Sequence, residues 1–394
     1  MTQVSQILKS ALGGNDISAA DAKILFGTQG DQAEAVFDCA DNIRRECIGD
    51  AVTYVINRNI NFTNVCYMGC TFCAFSKRRE NDTSELLPIS EIVRRAREAY
   101  DRGATEVCIQ GGLHPDIPGD HYLEIVSALK LEIPDIHIHA FSPFEIWYGA
   151  KKSRVSYREY LTKLKARGLG SIPGTAAEIL DTEIRKRLTR DKLTTEQWVE
   201  IITTAHEVGL HSSSTIMYGH VDGPESWAKH LEILRNIQIR TGMFTELVPL
   251  GFVHEDSPLY LENDDVRPGP TALESKLMHA VSRIFLRNHI KNIQVSWTKL
   301  GPALAREILN CGANDIGGTL MNESISRAAG SKSGQELTSD ELETLIRSVN
   351  RTPMRRTTLY RQPKTSVVND AIPLVKRQIA NPLAFLSEDA DNVL

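Results

Sequence analysis

The chain has 394 residues, 41% of them apolar and 24% charged, which admits one large domain with extensions or two ordinary ones and excludes a disordered or fibrous chain. Its net charge of -5 is spread over mixed signs, without the concentrated basic field that a phosphate backbone selects, so no nucleic-acid partner is expected. No apolar run approaches the roughly 20 residues that cross a bilayer, the polar start MTQVSQILKSALGGND lacks a signal-peptide core, and three of the seven cysteines crowd into eight residues, so a metal site in a reducing, cytoplasmic setting away from membranes is expected rather than a secreted disulfide framework.

Residues 1 to about 50 read as a helical preface, with Ile7, Leu8, Ala11, Leu12, Ala33, Ala35, Val36 and Ala40 set between charged stretches. From Thr53 onward short β-rich runs alternate with longer amphipathic ones. Eight strands follow: TYVINRNINF, TEVCIQGG, IHIHAFSP, LGSIPG, LHSSSTIMYG, TELVPLGF, NIQVSW and NDIGGTL. Four are entered through a glycine suited to ending the preceding helix, namely Gly103, Gly168, Gly209 and Gly312. This alternation predicts an α/β fold, a (β/α)8 TIM-type barrel over residues 51–325. An N-terminal helical extension of residues 1–50 precedes it, and a helical segment with a polar tail, residues 326–394, follows. Chemistry in such a barrel sits at the C-terminal ends of its strands.

Directly after the first strand, NVCYMGCTFCAF places Cys66, Cys70 and Cys73 as C-x3-C-x2-C. Thiolates bind iron-sulfur clusters, and a cubane with three protein ligands keeps one iron open. The amine and carboxylate of S-adenosylmethionine can chelate that iron. Reductive cleavage of its carbon-sulfur bond then yields methionine and a 5'-deoxyadenosyl radical, chemistry that belongs to the cofactor while the protein orients and shields. A closed zinc site would use four ligands, often as paired C-x2-C, and no second pair exists; Cys39 and Cys47 lie in the helical preface, and Cys108 and Cys311, within or beside strands, suit small buried hydrophobes.

Other residues at the mouth divide between cofactor and substrate. Phe72, immediately before the last cysteine, resembles the aromatic that packs beside the adenine in radical S-adenosylmethionine enzymes, although a local core role fits equally, and Tyr67 of the same loop is a further cofactor-binding candidate. Gln110, Gly111 and Gly112 end the second strand, where paired glycines let a backbone approach a ligand. Glu178 is placed on ribose hydroxyls and Arg185 on the methionine carboxylate, against the alternative of a solvated helix face. His139 shares a face with His137 and, with Ser142, Thr215, His220, Asn314 and Asp315, is a candidate for substrate contact because polar groups inside a barrel are costly unless paired.

In NFTNVCYMGCTFCAF, ATEVCIQGGLHPD, IHIHAFSPFEI, GLGSIPGTAAEIL, STIMYGH, FTELVPLGFVH and GGTLMNESISRAAG the chain resembles the family of subunit 2 of FO synthase, a radical S-adenosylmethionine family, from about Tyr54 to Arg327. The resemblance implies a barrel of that class holding a 4Fe-4S cluster on Cys66, Cys70 and Cys73. It implies a reaction in which the 5'-deoxyadenosyl radical takes hydrogen from L-tyrosine, whose side chain leaves as a 4-hydroxybenzyl fragment and joins 5-amino-6-(D-ribitylamino)uracil. The remainder departs as 2-iminoacetate, alongside methionine and 5'-deoxyadenosine. An external electron donor is needed, and FO synthase subunit 1 would act next as a separate partner, since only one cysteine triplet is present. Two other readings stay open: a radical enzyme of futalosine-dependent menaquinone synthesis, with a similar cysteine loop, and a non-catalytic iron-sulfur electron carrier.

Overall fold

Strands β1 (Ala51–Val55) and β2 (Asn57–Asn61) continue one another through Ile56 and form the first stave of a parallel barrel in the computed structural model, which describes residues 2–189 and 192–363. β3 (Glu106–Gln110), β4 (His137–Ala140), β5 (Ser171–Ile172), β6 (His211–Tyr218) and β7 (Phe244–Gly251) follow β2 in that order, every pair parallel. The seventh stave, expected over NIQVSW, is reduced to two bridging residues: Ile293 pairs with Leu247, and Gln294 pairs with Asp315 of β8 (Asp315–Gly318). β8 pairs in parallel with β1, and a bridge between Met321 and Arg58 returns to β2, which closes the ring.

Helices between the staves cover the outside, as parallel pairing demands. Gly103, Gly168, Gly209 and Gly312 all take positive φ, between 79° and 105°, just beyond the ends of their helices. Three helices precede β1: Gln3–Leu12, Ala19–Phe26 and Gly30–Ile48. Ser18 and Asp21 form a reciprocal capping box on the second. Ala22, Leu25, Val36, Ala40 and Ile43 are fully buried and belong to one apolar core continuous with the barrel. Phe26 stands edge-on to Trp227 at 5.2 Å, and Arg235 donates to the Ile17 carbonyl at 2.8 Å, so these helices clasp the outside of the barrel.

Beyond β8 the closing segment holds the expected helical turns, Ile325–Ala328 and Ser339–Arg347, and also a strand, β9 (Thr352–Arg355), paired in parallel with β1. Pro353 sits within it, and an edge strand is where a proline costs no ladder hydrogen bond. The residues after β9 turn inward and cap the N-terminal ends of the strands. Arg356 grips Asp315 through Nε at 2.5 Å and Nη2 at 3.0 Å, and its guanidinium lies 4.1 Å from the Tyr360 ring centre. The part of the expected polar tail beyond residue 363 lies outside the described residues.

Candidate active site

A cavity of about 400 Å³ opens at the C-terminal ends of the strands, and Cys66, Cys70 and Cys73 all line it. The loop that carries them is fastened on three sides. Cys66 N–H donates to the Lys77 carbonyl at 3.1 Å and Thr71 N–H to the Leu188 carbonyl at 3.0 Å, while the Thr71 carbonyl accepts from Leu259 N–H at 2.7 Å. Gly112 is required by this packing: a Cβ there would stand 2.4 Å from the Val65 carbonyl oxygen and 3.0 Å from Cys66 Cβ. A Cβ on Gly111 would enter the Phe62 ring at 2.6 Å. The glycine pair therefore lets the cysteine loop sit down on the end of β3, and both glycines also line the cavity.

Burial pushes the Cys70 thiol up to about 12 and raises Cys66 as well, with the Lys192 ammonium pulling both the other way. Among the described residues no three His, Cys, Asp or Glu side chains converge as ligands of a single ion would. A cubane spreads its three thiolates over three irons, so this donor set fits a 4Fe-4S cluster, and loading it must release protons from the buried thiols.

Around the thiols the lining is apolar with a few polar groups. Glu178 and Lys192 form an ion pair, with side chains 13% and 8% exposed. The Lys192 ammonium lies 5.2 Å from the ring centre of Phe72 and 5.5 Å from that of Phe144; burial opposes its charge, but the carboxylate of Glu178 and the Cys70 thiolate outweigh that and raise it. Lys299 and Glu323 also line the cavity. Burial lowers the Lys299 ammonium against the pull of Glu323, Cys73 and Glu178, and Glu323 is held by the Ser326 N–H at 2.9 and 3.1 Å.

The site residues expected from sequence are dispersed by the structure. Phe72, Gln110, Gly111, Gly112, Glu178 and Ser142 line the cavity with the three cysteines. Gln110 Oε1 accepts from the Thr175 hydroxyl at 3.0 Å. Tyr67 does not line it: the side chain is 41% exposed and its ring lies 6.0 Å from that of Tyr148. Arg185 is buried and spends its guanidinium on main-chain carbonyls, reaching Leu193 through Nε at 3.2 Å and Ala176 through Nη2 at 3.4 Å, with a further short bond to Ala177. It binds no free carboxylate but ties together the loop that presents Glu178 and Lys192.

His139 and His137 do share a face, both bonding the Ser171 hydroxyl at 2.7 Å, and neither lines the cavity. Thr215 donates to the Gly174 carbonyl at 2.8 Å. His220 is wholly buried beside Asp222 and faces the Met217 carbonyl at 3.1 Å. Asn314 accepts from Arg283 at 2.6 Å and from Ile293 N–H at 2.9 Å, and Asp315 is bound by Arg356. These five satisfy protein donors and acceptors and do not face the cavity. Sequence reasoning missed Glu145, Lys192, Lys299 and Glu323; only Glu145 had a signal, as the last residue of the S-x-x-E box that begins the helix Pro143–Ser153.

A parallel eight-stave barrel with three thiols on the loop after its first stave, open to an internal cavity, defines a radical S-adenosylmethionine protein. Residues 60–234 match the Radical SAM superfamily and residues 241–368 match the CofH/MqnC C-terminal region. The chain is 48% identical over 329 residues to the 5-amino-6-(D-ribitylamino)uracil--L-tyrosine 4-hydroxyphenyl transferase of Methanopyrus kandleri, covering 84% of this chain and 89% of that protein. It is 54% identical over 336 residues to FO synthase of Mycobacterium leprae, covering 85% of this chain but 39% of the synthase, so it spans about two-fifths of such relatives. Methylornithine synthase shares the fold, with a TM-score of 0.70 over 89% of this chain and 97% of that one at 18% identity. The chain belongs to the radical S-adenosylmethionine superfamily and, within it, to the family of FO synthase and the Methanopyrus transferase. Members of that superfamily use a 4Fe-4S cluster and S-adenosylmethionine.

Proposed function

We propose that the chain is a transferase that fragments L-tyrosine and joins its 4-hydroxybenzyl group to 5-amino-6-(D-ribitylamino)uracil, releasing 2-iminoacetate, methionine and 5'-deoxyadenosine. The observation that carries this is 48% identity across 89% of the Methanopyrus transferase, together with a single cysteine triplet at a cavity. When bound, the cluster and S-adenosylmethionine supply a 5'-deoxyadenosyl radical that abstracts hydrogen from tyrosine.

The chain's own part is to hold and shield. Cys66, Cys70 and Cys73 hold the cluster; Phe72, Gln110, Gly111, Gly112 and Glu178 contact S-adenosylmethionine. Ser142 and the Lys299 ammonium contact substrate, Lys299 being suited to an amino-acid carboxylate. Apolar walls from Phe144, Leu250 and Phe252 exclude water from a radical intermediate. The reaction takes an external one-electron donor, and an enzyme of the FO synthase subunit 1 type consumes the product. No described helix is long and apolar enough to cross a membrane, none of the seven cysteines is paired in a disulfide, and we place the reaction in the cytoplasm.

Anaerobic incubation of the reconstituted chain with reductant, S-adenosylmethionine, tyrosine and the ribitylaminouracil tests this by mass spectrometry. The benzylated uracil adduct and one 5'-deoxyadenosine per adduct are expected. Product only from a futalosine-type nucleoside would overturn the proposal.

A further inference from the structure

Beside the main cavity lies a second one of about 470 Å³, between β2, the cysteine loop and the segment that follows β8. The two spaces meet at Asn59, Asn61 and Phe75, which line both. The annex is walled by uncharged hydrogen-bonding groups, with carboxamides of Asn59, Asn61, Asn64, Asn322 and Gln335, together with charged side chains of both signs, Lys77, Glu85, Arg95 and Arg327. Asn64 is committed to the loop, accepting from Glu85 N–H at 2.7 Å and donating to the Thr83 carbonyl at 2.9 Å. Asn61 is committed too, accepting from the Ser324 hydroxyl at 3.0 Å and donating to the Gln110 carbonyl at 3.4 Å. Asn59 Oδ1 is buried with no hydrogen-bond partner, an arrangement that costs free energy unless a ligand supplies the missing donor. Arg95 in the same wall is already paired with Glu91 at 2.8 Å.

From these observations we infer that the annex binds a polyol, an acyclic run of hydroxyl groups whose planar head lies in the main cavity. Each carboxamide both donates and accepts, which matches hydroxyls that do the same, whereas an apolar tail would strand the amides and leave Asn59 Oδ1 unpaired. Resting on the function proposed above, the ligand is the ribityl chain of 5-amino-6-(D-ribitylamino)uracil, entering past Asn59 and Asn61 while its ring faces the tyrosine fragment. Asn59 and Gln335 then determine specificity for the second substrate.

The test compares the reconstituted full chain with Gln335→Ala and Asn59→Ala variants, using the ribitylaminouracil and 5-amino-6-(methylamino)uracil, which has the same ring and no hydroxyls. Wild type is expected to prefer the ribityl compound by at least about 10-fold in kcat/KM, because an analogue lacking the hydroxyls leaves the buried Asn59 Oδ1 unpaired. Gln335→Ala should raise KM for the ribityl compound several-fold and leave KM for tyrosine and for the methyl analogue unchanged. Asn59→Ala should lower the preference further. An equal response of the two uracils to both variants, or a wild type that uses them equally well, overturns the annex while leaving the transferase reading intact. Should wild type form no adduct from either uracil, the transferase reading fails, and anaerobic calorimetry with the ribitylaminouracil decides the annex: binding weakened by both variants supports it, and no binding to wild type overturns it.

Discussion

Glu145 joins two roles in one carboxylate. Its Oε2 accepts from the N–H and hydroxyl of Ser142 at 2.7 and 2.6 Å, closing the cap of the helix Pro143–Ser153, and its Oε1 accepts from Gly111 N–H at 3.0 Å. Burial pushes it up to about 7 although those donors and Lys192 pull it down. The unfolded carboxyl ionises near 4.5, so between there and about 7 the folded chain holds a proton that the unfolded chain has lost. Stability must then fall as pH rises across that window and level off above it, by an amount on the order of 1 to 3 kcal/mol for this group. Glu145→Gln keeps the shape and removes the ionisation. Thermal melts of the anaerobic protein between pH 5 and 8 should show a shallower decline for the variant, by a few degrees. Identical declines would mean that Glu145 is charged throughout. Glu246, also pushed up to about 7 by burial, continues to titrate in both proteins and sets the residual slope.

At the scale of elements, the junction of the cysteine loop with β3 decides whether three thiols share one cavity. Gly112→Ala would drive a methyl group to 2.4 Å from the Val65 carbonyl and 3.0 Å from Cys66 Cβ, displacing the first ligand. Because the contact lies at a loop rather than in the barrel, the helices and strands should persist at a cost of about 1–3 kcal/mol. Iron content and the cluster's visible absorbance should fall by more than half in reconstituted protein. Full iron loading with unchanged absorbance would refute the constraint. The cysteine loop, the strands and the glycine turns were legible because spacing and periodicity report local geometry directly. The polar candidates were not: alternation along β4 tells which face His139 occupies but not how deep in the barrel it lies. Its neighbour Ser171 and the arginine that completes that layer come from residues 32 and 217 positions away. Arg185 misled for a related reason, since a basic residue on a helix carries no mark of the main-chain carbonyls that will surround it.

Among the described residues the barrel is closed at one end and open at the other. β9 was hidden in the sequence because a four-residue strand containing a proline has little pattern of its own, and it exists through pairing with β1. That pairing delivers Arg356 to the floor of the barrel, where Asp315, fully buried, also takes the Thr53 hydroxyl at 2.5 Å. The carboxyls of Glu246 and Glu106 stand around them, with the His139 imidazole, which burial holds toward its neutral form. Removing Arg356 would leave Asp315 facing other carboxylates in a dry interior, a loss of about 3–5 kcal/mol for breaking a buried pair from one side. Arg356→Met should therefore unfold at markedly lower urea concentration than wild type. Asp315→Asn combined with Arg356→Met should recover part of that loss, since the uncompensated charge has gone. The mouth lies at the opposite ends of the same strands, so the double variant should retain its three thiols in place and its iron loading. A double variant no more stable than Arg356→Met alone would show that the guanidinium contributes through packing on Tyr360, not through its charge.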